Sequence, residues 1–447
     1  RPPVPPFTQP PRPPHQMKTM RLFRIIWFGQ MISIIGSGLS SFALDVWIYQ
    51  KTGSVTQFAI AFLFGSIPPL LITPFAGALA DRWNRRYCMM ISDCGAGVAM
   101  LAIAILLFVG KLAVWHIYIA VAVSSAFGSL QWPAYHAAIP QLVAKEDLTR
   151  ANGLTQLADA LKMLLPPILG GALLVTIQLQ GVLLVDFITF LVSIITLSIV
   201  RFPPRISNSE AEDEEKKESM FASFTYGLRY LQSRPGLLGL IGFFAIANFF
   251  LSMISVLLTP LILSFTSPAM LGTILFIDGI GMLLSTLLIS TRGMPSQQIN
   301  SILGFQLLGG LCIAATGFQA SVPLVAVAAF IFAFGSPIVN CCSQAILQRK
   351  VDPEVQGRVF AIEGMMSYIL QPIAYILAGP LADRVFEPLM MTNGALASTL
   401  GVVMGVGPGR GIGLLFTIIG GLSMLLPLLA YQYPRLRFVE VELTDQI

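Results

Sequence analysis

Long runs of apolar residues, almost free of charge, recur along this 447-residue chain. They constrain its fold more than any other feature. A helix crosses a bilayer with roughly 20 mainly apolar residues. Twelve segments fit: 24–49, 55–79, 87–109, 113–135, 152–176, 181–200, 237–263, 269–290, 299–318, 322–347, 358–380 and 410–431. Only 11% of the residues are charged, against about 25% in a soluble chain. Most of the surface must therefore face lipid, where helices satisfy their own backbone polar groups. The expected fold is all-α and polytopic, with twelve transmembrane helices in two pseudo-symmetric six-helix bundles. This composition excludes a cytosolic enzyme, a secreted disulfide scaffold and a nucleic-acid binder.

The charges that remain are sorted by side. With the N-terminus inside, 20 Lys and Arg residues fall in inner segments and 4 (Lys51, Lys111, Arg384 and Arg410) in outer ones. That bias places both termini in the cytoplasm. Residues 1–22 form a Pro-rich arm expected to be disordered, with Met17 or Met20 as the natural beginning. Segments 23–200 and 236–432 are the two six-helix bundles, and 433–447 is a cytoplasmic tail. Between the bundles lies the charged linker 201–235, whose residues 221, 224, 228 and 231 put apolar side chains on one helical face. That piece is expected to lie on the membrane surface. The five cysteines sit in apolar runs and read as small buried hydrophobes, with no disulfide or metal spacing.

The two halves echo each other. Lys145–Arg150 precedes the fifth span and Asp352–Arg358 the eleventh, with Glu146/Arg150 and Glu354/Arg358 at i,i+4 spacing; Pro167 and Pro372 keep nearly the same offset. Paired halves of this kind place a ligand site at their interface near the midplane. A second similarity is out of phase: Gly77-Ala-Leu-Ala-Asp81-Arg82 and Gly379-Pro-Leu-Ala-Asp383-Arg384 fall on opposite faces of the membrane. Out of phase and on opposite faces, the two cannot share one role.

The first of these segments continues as Asp81-Arg82-Trp-Asn84-Arg85-Arg86 on the inner loop between spans two and three. It resembles the G-x-x-x-D-R-x-x-R-R signature of the major facilitator superfamily, with Asn84 at a position often held by Gly, as a residue able to take positive φ. The resemblance covers essentially the whole chain. Pro167-Ile-Leu-Gly170-Gly171 looks like the tail of the antiporter motif of drug-exporting members, in degenerate form. The wider pattern looks like the branch containing macrolide and siderophore exporters. The resemblance implies a conformational latch of Gly77, Asp81, Arg82, Arg85 and Arg86, facing the start of span eleven near Glu363. Asp81 would face a helix N-terminus and the arginines would pair with acids across the halves. It also points the polar and aromatic residues of spans four, seven and ten at a cavity: Gln131, Trp132, Tyr135, Asn248, Phe249, Phe250, Asn340 and Gln344.

Ionised groups at mid-span cost about 2.5–3.5 kcal/mol, so each requires a reason. Asp278 lies near the middle of span eight, as a proton-coupling or ligand group or as a satisfied structural acid. Asp159 and Lys162, three apart on span five, form a local ion pair or one that changes partner during transport. Asp45, near the outer end of span one, is a proton entry point or an interfacial acid. Asp93 and Asp186 are placed near span ends as structural acids. Pro133, Pro260 and Pro337 are expected to kink spans for gating. No G-x-x-x-x-G-K-[ST] segment occurs, and the three His form no cluster. The reading is therefore a transporter, not an enzyme, with no cofactor or metal. It is a monomeric, multi-pass protein of the bacterial inner membrane that exports amphipathic small molecules against protons. The alternatives are a symporter of the same fold, a membrane-embedded transferase, or a scaffold or lipid flippase.

Overall fold

The computed structural model describes residues 16–200, 220–353 and 355–442, with 16–19, 74–82, 141, 145, 220–225, 361 and 441–442 as backbone alone. The six helices of the first half are α1 (Gln16–Thr52), α2 (Val55–Arg82), α3 (Arg85–Phe108), α4 (Val114–Leu142), α5 (Leu148–Thr176) and α6 (Gln178–Ile199). A short helix, α7 (Met220–Gln232), follows the linker. The second half is built from α8 (Pro235–Leu263), α9 (Pro268–Arg292), α10 (Gln298–Phe318) and α11 (Val322–Lys350). Its eleventh span is composite: α12 (Gln356–Ile369), α13 (Gln371–Pro380), a π-helical turn over Leu381–Phe386, and α14 (Glu387–Met390). After α15 (Leu400–Met404), α16 (Arg410–Gln432) completes the set, and α17 (Pro434–Arg437) and α18 (Val439–Glu442) follow. Twelve of these segments are long and apolar enough to cross a membrane.

Packing divides the bundle by depth. We call the end carrying both termini the termini face and the other end the far face. Toward the termini face each half keeps its own apolar cluster. Phe23, Met89, Leu142 and Leu197 pack together in the first half, and Leu240, Ile302, Ile346 and Val359 in the second. Toward the far face one cluster runs through both halves, joining Leu44, Ile48 and Phe58 to Val256, Leu257, Ala378 and Phe416. Among the described residues, continuous apolar packing therefore joins the halves at the far face, and the clusters at the termini face stay separate.

Several expectations change at this level. Helix α1 begins at Gln16, inside the stretch expected to be an arm; residues 1–15 and the acidic linker lie outside the described residues. The described part of the apolar face of α7, Leu228 and Leu231, packs on the second half. Leu231 is fully buried, and Gly227 sits against Ile362 and Arg358 of α12. Cys94 is exposed, unlike the buried Cys88, Cys312 and Cys342, because α3 turns it outward between Asp93 and Gly95. Arg150 pairs with Asp147 at 4.0 Å, on an exposed surface, where Glu146 had been expected. Asn84 does not take positive φ. At φ −67° it caps α3, its side chain accepting from the Arg86 backbone N–H at 3.0 Å.

The tail is docked by a helix end. The Glu440 carboxylate accepts from the backbone N–H groups of Gln298 and Ile299, both at 3.1 Å, and Lys350 Nζ donates to the Glu440 carbonyl at 2.6 Å. A carboxylate on the first free N–H groups of α10 is favourable by about 1 kcal/mol. Glu440→Ala is expected to lower thermal stability by about that amount, and unfolding in detergent micelles measures it.

Candidate transport cavity

Helix α1 carries Gln30, Ser33, Ser37, Ser41 and Asp45, spaced three or four residues apart. In an apolar helix that spacing puts one polar stripe on one face. The stripe borders a cavity of about 660 Å³, which Ser33, Ser37, Ser41 and Asp45 line directly. Asp93, Gln131, Lys162 and Asp186 from α3 to α6 supply most of its remaining polar wall, and Phe62, Phe187 and Phe190 contribute rings. The second half contributes only Ser255, Leu258 and Thr259 from α8 and Leu275 from α9. The polar wall is thus one-sided.

Three acids on that wall differ in how they are held. Asp93 is satisfied: Gln30 Nε2 and Ser193 Oγ each donate to Oδ2 at 2.8 Å, and Gln131 Nε2 donates to Oδ1 at 2.5 Å. Asp186 accepts from Ser37 Oγ at 3.2 Å, and its other oxygen has no partner. Asp45 is half-buried, with no hydrogen bond or ion pair among the described residues. Asp93 and Asp186 lie deeper in their spans than the sequence pattern predicts. Helix α3 begins at Arg85 and α6 at Gln178, so both acids lie two turns inside.

The other expected residues separate. Gln131 and Lys162 face the cavity, whereas Asp278 does not line it and sits one turn beyond Leu275, half-buried and without a partner among the described residues. Asp159 is exposed, and no ion pair joins it to Lys162. Trp132 is 66% exposed and lies against the His136 ring at a tilt of 46°. Tyr135 packs beside the first half's apolar cluster. Asn248 and Asn340 line a separate space of about 130 Å³ within the second half, Phe249 and Phe250 pack against the shared core, and Gln344 is exposed. The missed residues were legible in one signal: the polar stripe of α1, which marks the wall to which α3 and α6 add their acids.

Two helix crossings join the halves. Pro167 and Gly171 of α5 lie directly on α9. A Cβ on Gly171 would fall 2.8 Å from the Pro268 carbonyl oxygen and 3.4 Å from the Gly272 Cα, and one on Gly272 would meet the Pro167 carbonyl. Gly170 faces Phe42 of its own half. The second crossing sets α13 on α2, where a Cβ on Gly379 would lie 2.6 Å from the Thr56 Cα. Just beyond, Asp383 caps α2. Ser54 Oγ donates to it at 2.6 Å, the Thr56 N–H at 2.8 Å and the Val55 N–H at 3.0 Å. Both crossings lie toward the far face.

Two arginines of the basic loop bond to carbonyls within the first half. Arg85 donates to the Ala137 carbonyl, and Arg86 to the Leu197 and Ser198 carbonyls at 2.8 and 2.7 Å. These fasten the C-terminal ends of α4 and α6 within the first half, where free helix carbonyls attract cations. Glu363 is half-buried and takes no part in them. The side chains of Gly77 to Arg82 are outside the described residues.

Twelve membrane-length helices around a polar, ligand-sized cavity define a multi-pass membrane transporter. The sequence pattern of the Major Facilitator Superfamily matches residues 26–375, and the chain belongs to that family. It is 26% identical to Macrolide efflux protein A of Streptococcus pyogenes over 367 residues, covering 81% of this chain and 90% of that protein. It is 26% identical to Multidrug efflux pump Tap of Mycolicibacterium fortuitum over 372 residues, covering 80% and 88%. In fold it is similar to a bacterial homologue of the human lysosomal transporter Spinster in an inward-facing, unoccupied conformation. There the TM-score is 0.63 at 14% identity, over 94% of this chain and 97% of that one.

Proposed function

We propose that this chain exports amphipathic, cationic small molecules in exchange for protons, opening its cavity alternately to the two faces. The observation that carries the reading is a cavity with three acids on one wall, between halves that are joined at the far face and separately packed at the termini face. The basic residues orient the termini face toward the cytoplasm, so the conformation is one that loads from inside. The names of the macrolide and multidrug relatives support export.

The one-sided wall orients the cargo. A ligand amine meets Asp45, which is open to the cavity and unpaired, while its apolar body lies against the rings of Phe62, Phe187 and Phe190 and against Leu258 and Leu275. Asp81 and Asp383 act as matching clasps. Spans two and eleven run antiparallel, so each acid belongs to the C-terminal end of its span, on the face where the other span begins. Asp383 closes the far face here, and Asp81 closes the cytoplasmic face in the opposite conformation.

Everted membrane vesicles with ethidium and an imposed pH gradient test the reading. Uptake into vesicles should rise at least tenfold when the gradient is imposed and return to baseline when it is collapsed. Asp45→Asn should raise the KM for ethidium about tenfold, with little change for an uncharged dye. Gradient-driven movement in the opposite direction would make the protein an importer.

A further inference from the structure

Among the described residues, no charged side chain lines the small cavity of the second half. This space of about 130 Å³ lies among α8, α10, α11 and α16 and shares no lining residue with the central cavity. Helix α10 packs on α11 and on α16, and α16 on α8, while α8 and α11 leave a gap that forms the mouth. Two glycines seat the rings of one wall. A Cβ on Gly335 of α11 would lie 3.1 Å from the Phe305 ring of α10, and one on Gly309 of α10 would lie 3.3 Å from the Phe332 ring of α11. The two rings therefore interleave, and neither can retreat from the space.

Three amides from three helices converge there. Asn248 of α8, Gln306 of α10 and Asn340 of α11 line the space, and none of their side chains makes a hydrogen bond among the described residues. Ser423 of α16, 2% exposed, adds a hydroxyl that also makes none. Polar side chains in an apolar bundle are costly without partners, and several that converge on one cavity mark a ligand site. The amides stand about two to four turns from the termini-face ends of their helices. That is the depth of acyl chains, not of lipid headgroups.

The chemistry of the lining selects the ligand. An amide presents donors and an acceptor together, and so does each hydroxyl of a neutral sugar ring, which rotates to suit either. The C–H faces of such a ring suit the apolar faces of Phe305 and Phe332. An ion would give up its hydration there and find no counter-charge. The space is also well below that of a drug-sized site, so it takes one substituent and leaves the body of the ligand outside. We propose that this pocket is a second recognition site, for the neutral hydroxyl-bearing ring of a glycoside. Its role as a cargo site rests on the export reading above, whereas binding to it depends on neither Asp45 nor protons.

The test uses the purified full chain in lipid nanodiscs, free of glycoside detergents. Equilibrium dialysis compares methylumbelliferyl glucoside with methoxy-methylcoumarin, which has the same aromatic body and no sugar. The glucoside should bind at least tenfold tighter. Saturating ethidium should change its Kd less than twofold, since the two cavities are separate. Gln306→Leu and Asn248→Leu should each weaken the glucoside about tenfold and leave ethidium binding unchanged, whereas Asp45→Asn should do the reverse. In everted vesicles, wild type should take up the glucoside at least tenfold faster than Gln306→Leu.

Equal affinity for the two coumarins would leave the pocket to water and overturn the proposal. Full competition by ethidium would also overturn it, because the glucoside would then sit in the central cavity. Neither outcome depends on a variant folding. Undiminished glucoside binding in both Leu variants would remove the amides as its ligands. Failure of the proposal and failure of the export reading stay distinct. Vesicles that ignored a pH gradient would refute proton exchange while the dialysis result stood, and loss of glucoside binding alone would leave ethidium export untouched.

Discussion

Asp383→Ala is expected to open the far face. The wild-type carboxylate takes one hydroxyl and two backbone donors from the start of α2, across the boundary between the halves. Hydrogen bonds to a charged group contribute about 1.5–3 kcal/mol each. In the opposite conformation water replaces them, so the net bias is smaller, on the order of 2–3 kcal/mol for the set. That is about 30- to 150-fold in the balance between the two conformations. Spin labels at the exposed positions Gln57 and Val385 report the separation of α2 from the far end of span eleven. In Asp383→Ala the long-distance population should become dominant, and ethidium export should fall at least tenfold. Asp383→Asn, which keeps acceptor oxygen but loses charge, should fall between. Asp81→Ala should move the same distances the other way, and the double variant should return toward wild type. Unchanged distances in Asp383→Ala would remove the outer clasp, and a same-sign shift in Asp81→Ala would remove the matched pair.

How much of this was legible follows from what each level of structure needs. Span number and placement were readable because a bilayer demands apolar length, and length is a property of sequence alone. The Asp383 clasp was not. Its pairing with Ser54 to Thr56 joins residues more than 320 positions apart, and the similarity of Gly77–Arg82 to Gly379–Arg384 looks meaningless until spans two and eleven are seen side by side and antiparallel. Arg85 and Arg86 show the converse. The motif located them, but their bonds to Ala137, Leu197 and Ser198 depend on where α4 and α6 end. Of the side chains expected at the cavity, Gln131 lines it and Trp132 does not, while Lys162, expected to pair with Asp159, lines it instead. A helix's polar residues share a wall only when its rotation about its own axis is set, and packing fixes that rotation. The α1 stripe was the exception, since five polar positions at helical spacing define a face without any neighbour.

Gly272→Leu is expected to be the most damaging single change at the crossing of α5 and α9. Membrane helices gain little from hydrophobic burial against each other, so close backbone approach through small residues carries their association. At this crossing Gly171 and Gly272 face one another, and the Pro167 carbonyl occupies the space that a side chain on Gly272 would need. The atoms in the way are backbone and cannot rotate aside. Overpacking of this kind costs about 1–3 kcal/mol for a modest enlargement, and Leu adds four carbons where not even one fits. The helices must separate, and the joined far face separates with them. Export should drop more than tenfold, and labels on α5 and α9 should move apart by several ångströms. Gly272→Ala should show the same effects in milder form. Gly304→Ala is the control, because a Cβ there meets nothing within 4 Å. It should be neutral or stabilising by up to about 1 kcal/mol through helix propensity alone. If Gly272→Leu exported ethidium at the wild-type rate, the crossing would be a passive contact, and the degenerate Pro167–Gly171 motif would have no part in holding the halves together.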